Sequence, residues 1–349
     1  MSFAKASETT RRKIDHIHAA LHADVTYHTR TSGFERYELP YEALPEIDRS
    51  EVDTSTTFLG HRLCMPFVIS SMTGGAPESR DINRLLAEAA QRFGIAFGVG
   101  SQRAALEDPG LAYTYQVRDV APDILLFANL GAIQLNHGCG LESCAAAVEM
   151  IQADALILHL NPLQECVQAH GNTDFRHLVD KIGEVCEMVG VPVIVKEVGH
   201  GISERTARLL IDAGVDAIDV AGAGGTSWAK VERVRATDDS LRDLGAALGE
   251  WGIPTVDSLL AVRSISPHIT VIASGGVRTG PDIAKSIALG ADAAGMALPL
   301  LQSACAGRET LFSRITNLRE ELATIMFCTG ARTIGDLRGL RLCEAHDQK

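Results

Sequence analysis

Two neighbouring stretches decide the fold: Thr270-Val271-Ile272-Ala273-Ser274-Gly275-Gly276-Val277-Arg278 and Gly290-Ala291-Asp292-Ala293-Ala294-Gly295-Met296-Ala297-Leu298. Each contains a short apolar run, Thr270–Ala273 and Asp292–Met296, that gives way to glycine and small residues. The runs are near-continuously apolar instead of alternating, as expected of parallel strands covered on both faces. Between them Pro281–Leu289 has a helical pattern, with Pro281 where a helix start tolerates it. The unit is therefore strand, turn, helix, strand.

Working outward, the same unit recurs. Further strand candidates are Met65–Ser70, Ile95–Gly98, Ile124–Phe127, Ala155–Leu160, Val193–Lys196 and Ala217–Val220. Helical patterns at Glu78–Phe93, Asp174–Val189 and Ser203–Ala213 fall between them. Eight strand-helix units in one chain predict an α/β fold, a closed (β/α)8 TIM barrel, ahead of an open doubly wound sheet. Three parts are expected. Residues 1–64 form an N-terminal helical extension packed on the barrel, with a helix at Thr10–His22. Residues 65–330 form the barrel, and 331–349 a polar tail. Residues 300–330 read as one long final helical segment, and Gly222–Asp239 as a long loop that is mobile over the site.

Composition agrees. The 349 residues are 46% hydrophobic and 22% charged, enough for a large core and against global disorder. A formal charge of -12 argues against nucleic acid and against an anionic membrane as partners. The eight cysteines lack CxxC or finger spacing and read as reduced, mostly buried thiols of a cytoplasmic protein. No apolar run reaches spanning length.

In a barrel the chemistry sits at the C-terminal ends of the strands. Here nearly every end carries glycine or a polar group: Met72-Thr73-Gly74-Gly75, Ser101-Gln102-Arg103, Asn129, His159-Leu160-Asn161, Lys196-Glu197, Gly224-Gly225-Thr226 and Gly275-Gly276-Val277-Arg278. The ends of strands seven and eight together form the usual phosphate site of the fold, where backbone N–H groups meet the anion. Lys196 closes an otherwise apolar strand and needs an anionic or electron-rich partner. A flavin that gathers negative charge near N1 when reduced would serve, and so would Glu197 or another barrel carboxylate. Arg103 follows the second strand, where its fork suits phosphate oxygens.

Arg12-Lys13-x-x-His16-Ile17, SSMTGG, GVGSQRAAL, NLGAIQL, HLNPLQE, VIVKEVGHGIS, DVAGAGGTSWAKVE, ASGGVRTGPDIAKSIALGAD and TGARTI together resemble the type 2 isopentenyl diphosphate isomerases, from about residue 11 to 338. HLNPLQE and GGTSWAKVE are distinctive of that family, whereas SGGVR and MTGG are shared with other flavin barrels. The resemblance implies an FMN-dependent isomerase of isoprenoid biosynthesis that interconverts isopentenyl and dimethylallyl diphosphate. FMN is kept reduced by NADPH, Mg2+ assists, and a homo-oligomer, tetramer or octamer, is implied. It places FMN on Met72, Thr73, Gly74, Ser101, Asn129, Lys196, Thr226, Gly275, Gly276, Val277, Arg278, Ala297 and Leu298. It places the substrate diphosphate on Arg12, Lys13, Ser101, Gln102 and Arg103, and Mg2+ on Glu165. Gln164 would touch the allylic end of the substrate, with His159 and Asn161 beside it. The chain departs from the family's pattern at His200, where an aromatic or apolar residue is common, and at Leu298-Pro299-Leu300, where Gly or Arg often follows.

Three rivals share parts of this pattern. An FMN-dependent 2-hydroxy-acid oxidase needs a histidine base after strand six, where this chain reads Val220-Ala221-Gly222-Ala223-Gly224-Gly225-Thr226. A nucleotide dehydrogenase would need a nucleophilic cysteine on a glycine-rich loop, and Cys139 lacks that loop. A non-catalytic flavin-binding protein has no use for Arg12, Lys13, Arg103, Gln164 and Glu165.

Overall fold

The structure, a computed structural model, describes residues 8–345. Residues 1–7 of the expected extension and 346–349 of the expected tail lie outside the described residues. Eight parallel strands close into a barrel: β1 Phe67–Ile69, β2 Ala96–Gly98, β3 Leu126–Gly131, β4 Ala155–His159, β5 Val193–Lys196, β6 Ala217–Asp219, β7 Thr270–Ser274 and β8 Ala293–Met296. They lie in chain order and the ring closes where β8 pairs with β1. The expected TIM barrel is therefore the fold.

Alternation along each strand sorts the side chains into two layers. Val68, Ala96, Phe127, Ala155, Ile157, Ile194, Ala217, Ile272 and Ala293 fill the barrel interior. The hairpin Thr56–Phe58 and His61–Leu63 contributes Phe58 and Leu63 to the same cluster. The intervening strand positions face the helices and join the larger outer core. Register then carries the pattern to the mouth: Gly131 pairs with His159, His159 with Lys196, and Lys196 with Asp219.

Several local expectations change. The segment at 222–239 is not an open loop. It contains the helix Trp228–Arg235, begun by Ser227, whose Oγ accepts from Lys230 N. Residues 300–330 are two helices, Leu298–Ala306 and Arg308–Cys328, separated at Gly307 with φ 120°. The C-terminal stretch holds the helix Ile334–Arg338, and Cys343–Glu344 pairs with Tyr37–Glu38. Most of the cysteines are not buried: Cys144 is, while Cys64, Cys166, Cys305 and Cys343 are exposed. Small thiols are tolerated on helix and loop surfaces as well as in cores. Among the described residues no helix is long and apolar enough to cross a membrane.

Candidate functional site

A cavity, partly open to solvent, sits over the C-terminal ends of the strands. The inward layer of the barrel supplies its floor. Ser70, Asn129, His159, Lys196, Ser274 and Gly295 each stand two residues beyond an interior core position on their strands. The N-terminal helix Glu8–His22 roofs it. This helix is strapped down where Tyr27 N donates to Gly225 O at 3.1 Å and Ser227 N donates to Val25 O at 2.8 Å. The roof therefore covers the barrel of its own chain.

Three cations converge on one wall: Arg12 and Lys13 from the roof and Arg103 from the β2 end. Among the described residues Arg12 and Lys13 have no carboxylate at ion-pair distance, while Arg103 Nε donates to Glu107 Oε1 at 2.7 Å. Burial, with Arg12 and Arg103 nearby, pushes the Lys13 ammonium down to about 7. Unpaired cations held together in this way call for an anion.

The opposite wall is built for close backbone approach. A Cβ on Gly225 would lie 2.5 Å from Gly276 N, and one on Gly276, at φ +76°, 2.8 Å from Gly224 O. At the β2 end, beside Arg103, a Cβ on Gly100 would lie 2.6 Å from the Thr73 backbone, to which its N–H donates at 2.8 Å. Only glycine allows the backbones to pack this closely. Beside them Ser70 Oγ and Ser71 Oγ are buried without partners among the described residues. A phosphate and a polar ring fit this cradle, and the flavin nucleotide expected here meets both conditions. Met72, Thr73, Ser101, Asn129, Lys196, Thr226, Gly275, Arg278, Ala297 and Leu298 all line the cavity as well.

Between the two walls lies a buried amide network. Asn161 Nδ2 donates to Gln164 Oε1 at 3.0 Å and to Glu165 Oε1 at 2.9 Å. Gln164 Nε2 donates to Glu232 Oε1 at 2.9 Å, and His16 Nε2 lies 2.8 Å from the same oxygen. Burial alone would raise the Glu232 carboxyl, but His16, Arg235 and Gln164 outweigh it and hold it at about 2. Glu165 Oε2 accepts from Asn172 N at 2.7 Å. Each Glu165 oxygen keeps a lone pair, so the carboxylate fits a cation that takes its other ligands from phosphate and water. His159 Nδ1 lies 2.9 Å from Asn129 Oδ1, and burial with Lys13 and Lys196 nearby pushes the imidazole down to about 3. It is neutral across the physiological range.

Three expected ligands are not on the wall. Gln102 is fully buried: its Nε2 donates to Ala147 O at 2.8 Å and its Oε1 accepts from Asn129 N. It braces the β2 and β3 ends and has no group left for substrate. Gly74 packs against the Tyr115 ring, where any Cβ would collide, and the Tyr115 hydroxyl donates to Ser101 O at 2.7 Å. Val277 turns into the outer core. His200 also points away from the wall, with Nδ1 2.8 Å from both Tyr27 Oη and Trp251 O. Leu298, the other departure, stands on the wall and begins a helix with Pro299 at its first turn.

Four further positions at or behind the lining, His16, Trp228, Glu232 and Asp219, stand within the quoted motifs but had no role read from the sequence. The first three had a helical signal. Arg12 and His16 are spaced i, i+4, as are Trp228 and Glu232, so each pair shares a helix face. In the fold the His16 and Trp228 rings meet edge to face, with centroids 5.0 Å apart. Asp219 had a strand signal, being two residues beyond the inward Ala217.

The FMN-dependent dehydrogenase family model matches residues 5–109 and 141–343. A Nostoc protein named isopentenyl-diphosphate delta-isomerase is 52% identical over 333 residues, covering 95% of each chain. A Synechococcus protein of the same name is 51% identical over 343 residues, covering 98% of each. Among solved structures, a lactate oxidase from Pediococcus acidilactici superposes with TM-score 0.66 at 18% identity, over 90% of this chain and 84% of that one. A mandelate oxidase superposes with TM-score 0.65 at 18% identity, over 99% of each. These two share the barrel.

Proposed function

The chain belongs to the isopentenyl-diphosphate delta-isomerase family, on the barrel of the FMN-dependent dehydrogenases, and from that premise we propose how its cavity works. It is an FMN-dependent isomerase that interconverts isopentenyl and dimethylallyl diphosphate in isoprenoid synthesis. The observation that carries the reading of the site is the pairing of two walls in one cavity, a glycine cradle facing three converging cations. One takes the flavin phosphate and the other takes the substrate diphosphate.

The reaction shifts a carbon–carbon double bond through a tertiary carbocation-like state, with no net redox change. When bound, reduced FMN supplies an electron-rich ring beside the alkene and a nitrogen, N5, able to exchange a proton. Arg12, Lys13 and Arg103 hold the diphosphate, and Glu165 would hold Mg2+ against its oxygens. Gln164, clamped between Asn161 and Glu232, orients the allylic end. Ionised Glu232 and the Trp228 ring favour positive charge nearby. Ile17, Ala20 and Leu301 complete the cavity's apolar surface, which keeps water from the cation. His159, being neutral, serves as a hydrogen-bonding group toward the diphosphate. Lys196 faces the flavin edge.

NADPH is the reductant in this reading, and its support is family likeness. A homo-oligomer, tetramer or octamer, rests on family likeness in the same way, and the cysteines, free among the described residues, suit a cytoplasmic location. The test is anaerobic conversion of isopentenyl diphosphate with FMN, NADPH and Mg2+, each omitted in turn. Conversion must fail without FMN. Consumption of a 2-hydroxy acid by the oxidised protein would favour the oxidase reading.

A further inference from the structure

Lys196 does not face the cavity alone. Its Nζ lies 3.2 Å from Asp219 Oδ2, and the two are register partners on β5 and β6. Asp219 Oδ1 accepts from Ser274 Oγ at 2.6 Å, on β7, and from Ala221 N at 3.3 Å. Ala221 holds a left-handed φ of 35°, a conformation that costs free energy in a non-glycine residue and here aims its N–H at the carboxylate. Lys196, Ser274 and Ala221 stand on the cavity wall, whereas Asp219 sits behind them and is almost fully buried. Three adjacent strands thus present one charged pair, ammonium outward and carboxylate behind.

We propose that Asp219 is a positioning residue that sets how much positive charge Lys196 presents to the flavin ring. The inference rests on the flavin reading of the cavity. Coulomb interactions act strongly across such short distances in a poorly solvated site, so a carboxylate directly behind the ammonium cancels part of its field at the wall. An unopposed ammonium would favour the negative charge of the reduced ring more strongly. The isomerisation takes up and returns a proton in each turnover, and a ring held too firmly as the anion is a weaker base for that exchange. Asp219 keeps Lys196 aimed while moderating its pull. Ser274 and Ala221 fix the carboxylate in place.

The experiment compares anaerobic binding of oxidised and dithionite-reduced FMN to the apoprotein, in the natural chain and in Asp219→Asn, Asp219→Glu and Lys196→Met. Asp219→Asn is expected to raise the reduced-over-oxidised affinity ratio by about ten- to a hundredfold, which is about 30 to 60 mV for a two-electron couple. Asp219→Glu, which keeps the charge, is expected to stay near the natural ratio, and Lys196→Met to lower it. A merely structural role would make Asp219→Asn and Asp219→Glu alike. A ratio unchanged or lowered in Asp219→Asn overturns the inference while the flavin reading stands. Natural protein that binds neither form overturns both. If Asp219→Asn does not fold, Ser274→Ala gives the reading. Without that hydroxyl the Asp219 charge is less dispersed and opposes Lys196 more fully, so the ratio is expected to fall, and a ratio that holds or rises overturns the inference.

Discussion

Gln164 Nε2 lies 2.9 Å from Glu232 Oε1, although the two residues are 68 positions apart and on different helices. The amide cannot rotate freely, because Asn161 Nδ2 donates to its other end at 3.0 Å. A neutral side chain is thus held at both ends, with an ionised carboxylate behind it.

That clamp makes Glu232 a catalytic determinant at one remove. Glu232→Gln is expected to keep FMN affinity and lower kcat by about a hundredfold, roughly 2.7 kcal/mol of barrier. Gln164→Ala is expected to lose at least as much. Steady-state kinetics with a parallel FMN titration check this, and full turnover in either variant would refute the role.

Lys13 predicts a proton taken up on substrate binding. Its ammonium titrates at about 7 in the free protein, and a diphosphate beside it restores the charged form toward the ordinary 10.5. Between those values binding draws in protons, so affinity falls as pH rises above 7. Calorimetry at about pH 8.5 in buffers of differing ionisation enthalpy should show uptake of up to about one proton, absent in Lys13→Met. Proton release in the natural chain would contradict it.

The glycine cradle predicts a sharp loss of cofactor. Gly276→Ala places a Cβ 2.8 Å from Gly224 O at a φ of +76°, so both sterics and backbone conformation oppose it. The strain alone costs about 1 to 2 kcal/mol, and FMN affinity should fall by roughly a hundredfold because the phosphate loses its N–H groups. Fluorescence titration of the apoprotein measures it. Retained affinity would remove Gly276 from the phosphate site.

His159 predicts part of the acid sensitivity. Its folded value of about 3 lies below the usual 6.5, so between the two the unfolded chain binds a proton that the folded chain excludes. Its contribution is fully present above pH 6.5 and is lost as pH falls toward 3. The slope is up to about 1.4 kcal/mol per pH unit. Urea midpoints of His159→Gln should fall less between neutral and acid pH than those of the natural chain. An identical fall would show that this imidazole is not excluded from protonation.

Much of this was legible in the residues. The apolar runs at Val193–Lys196 and Thr270–Ala273 need no context to read as parallel strands, and eight of them close a barrel. The glycines at 275 and 276 announced a phosphate for the same local reason. What stayed hidden depends on contacts distant in sequence. Gln102 carries the composition of a ligand, yet its amide is spent bridging β2 to β3, which only the folded register reveals. The segment after Gly225 looked open because its helix has a weak apolar face, and it is secured by the strap from Val25. Nothing local marks Glu232 or Asp219 within their motif; the fold brings His16 and Gln164 to the one and Lys196 to the other.

A flavin barrel here performs an isomerisation without net oxidation. The most direct measurement follows the absorbance of reduced flavin during anaerobic conversion of isopentenyl diphosphate. Many turnovers per flavin are expected, with the reduced spectrum retained throughout. Oxidation of one flavin per product formed, or equal turnover with oxidised FMN, would contradict it.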